Sequence, residues 1–284
     1  VGIVLILVSS FFFTLSSMFG KIVTSTTNMS GILSAFFRFS IGAILMFAYI
    51  MFKGKSFKSD NMKPMILRGI FNSLAMITFS LGFQYTTITN TNMLHMSYPV
   101  FVVLFAPYFT KEKIKKSSYL YLTIIMLGSY IVANPSFGHI NIGDFFAFLS
   151  AVVGAFSILY LTIASRDNES YLIVFYVMLV GTLVNLPLVL RDFATFEMAG
   201  LLPALLSGIC GVLGQIFITL GYRYVDSATG SMVANSRIVM GAILGYIFLD
   251  ETIDLRIIIG MVLIIGALVG LSGYFSKDRK EAVE

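Results

Sequence analysis

The sequence predicts an all-α integral membrane protein with ten transmembrane helices, arranged as two inverted five-helix repeats. Three observations carry this expectation. The 284 residues are 57% hydrophobic and 12% charged, with a mean hydropathy of +0.91, whereas soluble domains carry about 25% charged residues. The apolar residues fall in continuous runs of membrane-crossing length. The first half of the chain also recurs in the second at an offset of 139 residues.

A spanning helix needs about 20 mostly apolar residues. Ten segments qualify, over 2–20, 31–52, 64–84, 91–110, 118–134, 143–164, 170–190, 199–221, 228–249 and 256–275. The connections are short and polar, as in KGKSFKSDNMK, KEKIKKSS and SRDNES, and none can hold a soluble domain. β-Barrel spans alternate strictly over about ten residues, and these runs do not. The first segment lacks a basic n-region and is too long for a signal core, so it reads as a span. Cys210 is the single cysteine, which excludes an intramolecular disulfide. Its apolar, Gly-rich surroundings mark it as a packing residue.

Basic residues in short loops favour the cytoplasmic side. With the N-terminus inside, the lysines from Lys53 to Lys63, Arg68, those from Lys111 to Lys116, Arg166, Arg223, Lys277, Arg279 and Lys280 all fall inside. Lys21, Arg191 and Arg256 fall outside. Both termini are therefore expected in the cytoplasm, on a cell (cytoplasmic or inner) membrane. The net charge of +5 is then a topology signal, and no nucleic-acid partner is expected.

The repeat divides the chain into units 1–138 and 139–284. The offset holds without a gap from Pro64 to Ile114, with identities such as Pro64/Pro203, Gly69/Gly208, Gly82/Gly221, Ser97/Ser236 and Glu112/Glu251. The first spans align at an offset of 141, pairing Ser9 with Ser150 and Ser16 with Ser157. An odd number of spans per unit makes the second unit enter the membrane the other way up. Inverted repeats with a midplane site are a frequent design of secondary transporters.

The stretches FFRF at 36–39, SYPVFVVLFAPYFTKEKI from Ser97 and SRIVMGAILGYIFLDETI from Ser236, with Lys21 closing the first span, resemble the EamA family of the drug/metabolite transporter superfamily. Gly260 and Gly266 follow Glu251 in the family's manner; in the first copy Leu122 replaces the first glycine while Gly128 keeps the second. The resemblance implies a central cavity lined by spans 1, 3, 4, 6, 8 and 9, with spans 5 and 10 peripheral. Family members move amino acids, nucleotide-type metabolites, cations and drugs.

Arg237 lies about ten residues into span 9, roughly 15 Å deep at the helical rise. A cation there is costly and usually faces a cavity or a partner. It reads as a substrate contact or as a structural arginine bonded to carbonyls at a helix break. Ser236 precedes it, and the repeat sets Tyr98 opposite it. Arg38 in span 2 has Tyr176 as its counterpart, and can instead snorkel outward. His95 precedes Pro99 by four residues and shares a helical face with Thr91 and Tyr98; it is a substrate contact, a proton-coupling group or a packing residue. Gln215 in span 8 and Asn72 and Met76 in span 3 lie on matching stripes. The hydroxyls of Ser9, Ser16, Ser150 and Ser157 serve packing or ligand.

No carboxylate lies deep in a span, which speaks against a dedicated organic-cation site. Arginine forks hold carboxylates in bidentate geometry. The expected function is a secondary transporter of a small carboxylate-bearing metabolite, such as an amino acid, a derivative or an organic acid, working by alternating access. The alternative is a broad exporter of amphipathic drugs or metabolites. No metal motif, acid cluster or nucleophile–base pair suggests an enzyme, no P-loop suggests ATP-driven transport, and no cofactor is expected.

Overall fold

The computed structural model describes residues 1–59, 61–86, 88–135, 141–190, 192–248 and 252–272. Among them every regular element is helical. The helices are α1 (Gly2–Thr26), α2 (Gly31–Phe52), α3 (Lys63–Tyr85), α4 (Ile88–His95), α5 (Tyr98–Phe109), α6 (Lys116–Ala133), α7 (Ile142–Asp167), α8 (Ser170–Val189), α9 (Leu201–Gly221), α10 (Ser227–Ala234), α11 (Ser236–Phe248) and α12 (Leu255–Leu271).

Local chemistry sets the ends of these helices. Ser30 accepts from the Leu33 amide, Asp226 from Thr229 and Asp254 from Ile257, each supplying an orphan N–H of a first turn with an acceptor. Asn141 and Asp144 form a reciprocal capping box at the start of α7. Pro64 sits in the first turn of α3, where its missing N–H costs nothing. Asn134 stops α6 in the left-handed conformation, at φ 45°.

Seven helical stretches among the described residues are long and apolar enough to cross a membrane: Gly2–Thr26, Gly31–Phe52, Lys63–Gly82, Ile142–Asp167, Ser170–Val189, Met198–Gly221 and Ser227–Phe248. Of the other segments expected to span, 91–110 is split into α4 and α5. Helix α6 has 18 residues, and α12, of 17 residues, is a shorter apolar helix. Side chains such as Ile44, Phe47, Leu104, Leu120, Phe145, Leu202 and Val262 are exposed on the outer surface. So much apolar surface suits hydrocarbon rather than water.

The bundle is held by four long pairings: α3 along α7, α1 along α9, α6 along α12 and α2 along α8. The α6–α12 crossing needs glycine on both sides. A Cβ on Gly128 would lie 2.8 Å from the Gly260 carbonyl oxygen, and one on Gly260 would lie 2.7 Å from that of Gly128. Helices without a hydrophobic drive to associate gain from this close backbone approach. The hydroxyls of span 1 bond across to α9, Ser9 donating to the Gly214 carbonyl at 2.8 Å and Ser16 to that of Ser207 at 2.7 Å.

Two breaks organise the interior. The chain leaves helical conformation at Met96–Ser97, between α4 and α5, and at Asn235, between α10 and α11. Pro99 explains the first, since it offers no N–H to the preceding turn and its ring clashes there. The Val100 amide bonds to Ser97 O, one residue closer than a regular helix allows, which frees the Met96 carbonyl. The Asn235 side-chain amide fills that vacancy, donating to Met96 O at 3.2 Å across 139 residues of chain. The separation equals the sequence offset of the repeat, so each break sits at the other's counterpart.

Candidate functional site

Beside these breaks lies a part-open cavity of about 110 Å³ that shares lining with a wider chamber of about 420 Å³. Phe13, Arg38, Met76, His95 and Arg237 line both and form the neck between them. The inner cavity adds Arg68, Asn72, Tyr98, Ser157 and Gln215; the outer chamber adds Thr14, Ser17, Asn92, Met96 and Ser129.

Arg237 follows the second break by two residues. Its guanidinium lies 4.1 Å from the centroid of the Phe13 ring, a cation–π contact. Its Nε is buried without a hydrogen-bond partner. No carbonyl or carboxylate among the described residues accepts from it, so it is not tied to the backbone at the break. The Arg38 stem lies against Gly211: a Cβ there would come within 2.6 Å of Arg38 Cδ, so only glycine leaves room for the stem as it lies. One guanidinium nitrogen lies 3.5 Å from the Met76 sulfur, and the group sits 5.2 Å from the Phe39 ring centroid. Arg38 therefore points inward rather than snorkelling to a surface.

His95 closes α4. Its Nδ1 lies 2.9 Å from the Ser150 hydroxyl, which gives its own proton to the Ala147 carbonyl at 2.6 Å. The imidazole is then the donor at Nδ1, and in the neutral ring Nε2 is left as an acceptor. Phe79 packs on the ring at 4.7 Å between centroids. Tyr98, just past the first break, donates its hydroxyl to the Ser231 carbonyl at 3.3 Å and links α5 to α10. Thr91, expected on the same face, is fully buried and does not line the site; its methyl lies against Gly82. The break at Met96–Ser97 removes the continuous helical face that would have joined Thr91 to Tyr98.

Of the residues singled out from sequence, Arg237, Tyr98, His95, Gln215, Arg38 and Asn72 meet around one cavity. Ser236 and Tyr176 do not. Ser236 is buried behind the break with its hydroxyl unpartnered. Tyr176 turns away and donates to the Phe57 carbonyl at 3.0 Å. Span 2 lines the site through Arg38 and Phe39, and span 5 reaches the outer chamber with Ser129, Val132 and Ala133. Span 5 is thus less peripheral than the resemblance implied. Glu251 lies outside the described residues. Its counterpart Glu112 accepts from the Ser227 amide at 3.1 and 3.0 Å and from the Ser227 hydroxyl at 2.5 Å, pinning the start of α10.

Among the polar residues of the inner cavity Arg68 escapes the sequence reading, as do Phe13, Thr14, Ser17, Asn92 and Ser129 elsewhere along the lining. Arg68, expected among the basic residues of the cytoplasmic side, is only 3% exposed. It donates to the Ser157 hydroxyl at 2.6 Å and to Gln215 Oε1 at 3.4 Å. The signal was its spacing: Arg68 lies four residues before Asn72 and eight before Met76, on the same helical stripe. Proximity to the basic loop after Phe52 masked it.

Comparison with known proteins identifies the family. The model of the EamA-like transporter family matches residues 1–134 and again 141–273. The chain is 30% identical over 276 residues to a pseudopaline exporter of Pseudomonas aeruginosa, covering 95% of each. It is 26% identical over 241 residues to an S-adenosylmethionine uptake transporter of Rickettsia felis, covering 82% of this chain and 80% of that one. A crystal structure sharing 15% sequence identity superposes with a TM-score of 0.77 over 95% of this chain and 98% of its own, which shows the common fold. With its membrane-spanning helices, the chain belongs to the EamA-like transporter family.

Proposed function

We propose that the protein is a secondary transporter of a small carboxylate-bearing metabolite, working by alternating access of two inverted five-helix repeats that together make ten spans. In this reading the units are 1–138 and 139–284, both termini are cytoplasmic, and Arg237 holds the substrate carboxylate. The observation that carries it is the half-buried Arg237 guanidinium, lining the outer chamber with a ring for company, a buried Nε and no acceptor among the described residues. An uncompensated cation inside a membrane protein is tolerated where an anion or water meets it. Gln215, Asn72, His95 and Arg38 supply further polar contacts around the same cavity. The repeat reading is supported by two separate family matches, by breaks at corresponding places, and by helix pairings that exchange: α3 with α7 corresponds to α9 with α1.

A second reading, a broad exporter of amphipathic compounds, draws on Phe13, Met76, Phe79, Met93 and Met96 around the outer chamber. Methionines adapt to varied shapes. A thermal-stability screen separates the two. Purified wild type and Arg237→Gln are heated with amino acids, organic acids, organic cations and neutral drugs. A ligand that binds only the folded state raises the midpoint. Carboxylates that stabilise wild type and not the variant support the carboxylate reading. Stabilisation by drugs or cations alone, equal in both proteins, refutes it. Relatives named for export and for uptake make flux in both directions worth measuring.

A further inference from the structure

Arg68 is the anomaly of the inner cavity. Its two bonding partners, Ser157 and Gln215, are neutral, and its Nε is buried with no partner. Arg38 and Arg237 line the same cavity, and among the described residues no Asp or Glu lines either it or the chamber. Three guanidinium groups thus share an enclosure without a counter-ion, and isolated buried charges of one sign are costly.

The duplicated half shows that helix packing does not require this cation. At the equivalent crossing of α1 and α9, Ser207 stands where α3 has Arg68, and Ser16 stands where α7 has Ser157. The backbone contact is the same in both places. Ser16 donates to the Ser207 carbonyl at 2.7 Å, and Ser157 to the Arg68 carbonyl at 3.4 Å. In the serine version the side chain returns the bond, Ser207 donating to the Ser16 carbonyl at 2.8 Å. A hydroxyl therefore suffices to hold such a crossing, and the guanidinium is an addition to it.

The three arginines also fall into two stations. Arg38 and Arg237 line both cavity and chamber, whereas Arg68 lines only the inner cavity. Along α3, Arg68 lies eight residues from Met76, whose sulfur contacts Arg38. That is roughly 12 Å of helical rise, which flexible arginine side chains shorten. We infer that Arg68 with Gln215 is a second anion station, and that the transported compound carries two anionic groups separated by a few carbons. This rests on the carboxylate reading above. One carboxylate meets Arg237 and Arg38 at the neck, and the other meets Arg68 within.

The test compares the four- to six-carbon straight-chain dicarboxylates with their monoamides, which keep the shape and lose one charge. Affinities are read by thermal shift on wild type, Arg68→Gln and Arg237→Gln. Hydrogen bonds to charged groups contribute enough to expect at least about a tenfold preference of wild type for the best diacid over its monoamide. Arg68→Gln should reduce that preference to about twofold or less while leaving monoamide affinity in place. Should Arg68→Gln fail to fold, Gln215→Glu sets a carboxylate beside Arg68 and is expected to remove the same preference. Equal binding of diacid and monoamide by wild type overturns the second station and leaves the carboxylate reading standing, provided Arg237→Gln weakens both. A preference that survives both Arg68→Gln and Gln215→Glu overturns the station as well. Failure of every acid and monoamide to bind wild type refutes the carboxylate reading, and the station with it.

Discussion

Gly211→Ala should expel Arg38 from the cavity wall while leaving the bundle folded. A Cβ at this position would stand 2.6 Å from Arg38 Cδ, 2.7 Å from Cγ and 3.2 Å from the Ser16 hydroxyl. Carbon atoms prefer about 3.5–4.0 Å, so something must move by roughly 1 Å. Ser16 is fixed by its bond to Ser207 O. The Arg38 stem is not, since its head contacts only a sulfur and a ring. Overpacking costs about 1–3 kcal/mol, and alanine regains about 0.5–1 kcal/mol of helix propensity over glycine. The net loss is about 0–2.5 kcal/mol. A ligand that uses Arg38 should bind about tenfold more weakly, the scale of one charged hydrogen bond. Gly266→Ala is the control: nothing lies within 4 Å of its Cβ, so stability should rise by about 0.5–1 kcal/mol. Unfolding can be followed by circular dichroism, as the chain has no Trp, and ligand binding by the shift in midpoint. If Gly211→Ala matches Gly266→Ala in both stability and ligand response, Arg38 does not lean on Gly211 and the description of the neck is wrong.

Three further outcomes follow from contacts elsewhere. Glu112→Gln weakens the charge-assisted bonds to Ser227 and should cost about 1–3 kcal/mol; thiol labelling at Ser227→Cys in a Cys210→Ser background should then speed up, and unchanged labelling refutes the pin. Asn235→Ala should cost under about 1 kcal/mol, since interhelical hydrogen bonds in membranes average about 0.6 kcal/mol and an unpartnered Oδ1 disappears with it. Asn235→Asp should cost clearly more, because it sets an acceptor against the Met96 carbonyl; equal midpoints for the two variants would contradict the bridge. Phe13→Leu keeps bulk and removes the π face under Arg237, a loss of about 0.5–2 kcal/mol, and an unchanged thermal midpoint would show that the ring does not hold the cation.

The sequence made the helices and most of the cavity legible, because hydropathy marks spans and a buried arginine stands out against lipid-facing residues. Arg237 and Gln215 were recognisable by depth and stripe, and His95 by its place before Pro99. Arg68 was not, because a cation five residues from a helix start looks like a loop charge until the fold turns its stripe inward. Tyr176 failed for the opposite reason: a local alignment assigned it to Arg38, while the fold spends its hydroxyl on the Phe57 carbonyl. The Asn235 bridge was also hidden. Nothing in either copy's composition shows that one break will donate to the carbonyl released by the other.

In the inverted-repeat arrangement proposed above, duplication gives a bound molecule two equivalent ways to sit, related by the internal axis. Here the copies have diverged where it matters: Arg68 faces Ser207, Gln215 faces Met76 and Arg237 faces Tyr98 in the correspondence of the halves. The enclosure is lopsided, with its donors gathered out of register. On the proposed carboxylate reading, a guest turned end for end would meet a thioether in place of an amide and a phenol in place of a cation. Seating in one direction only means that each donor always meets the same end of the guest. The loss of internal symmetry thus gives the cavity a head and a tail that a perfectly repeated chain would lack.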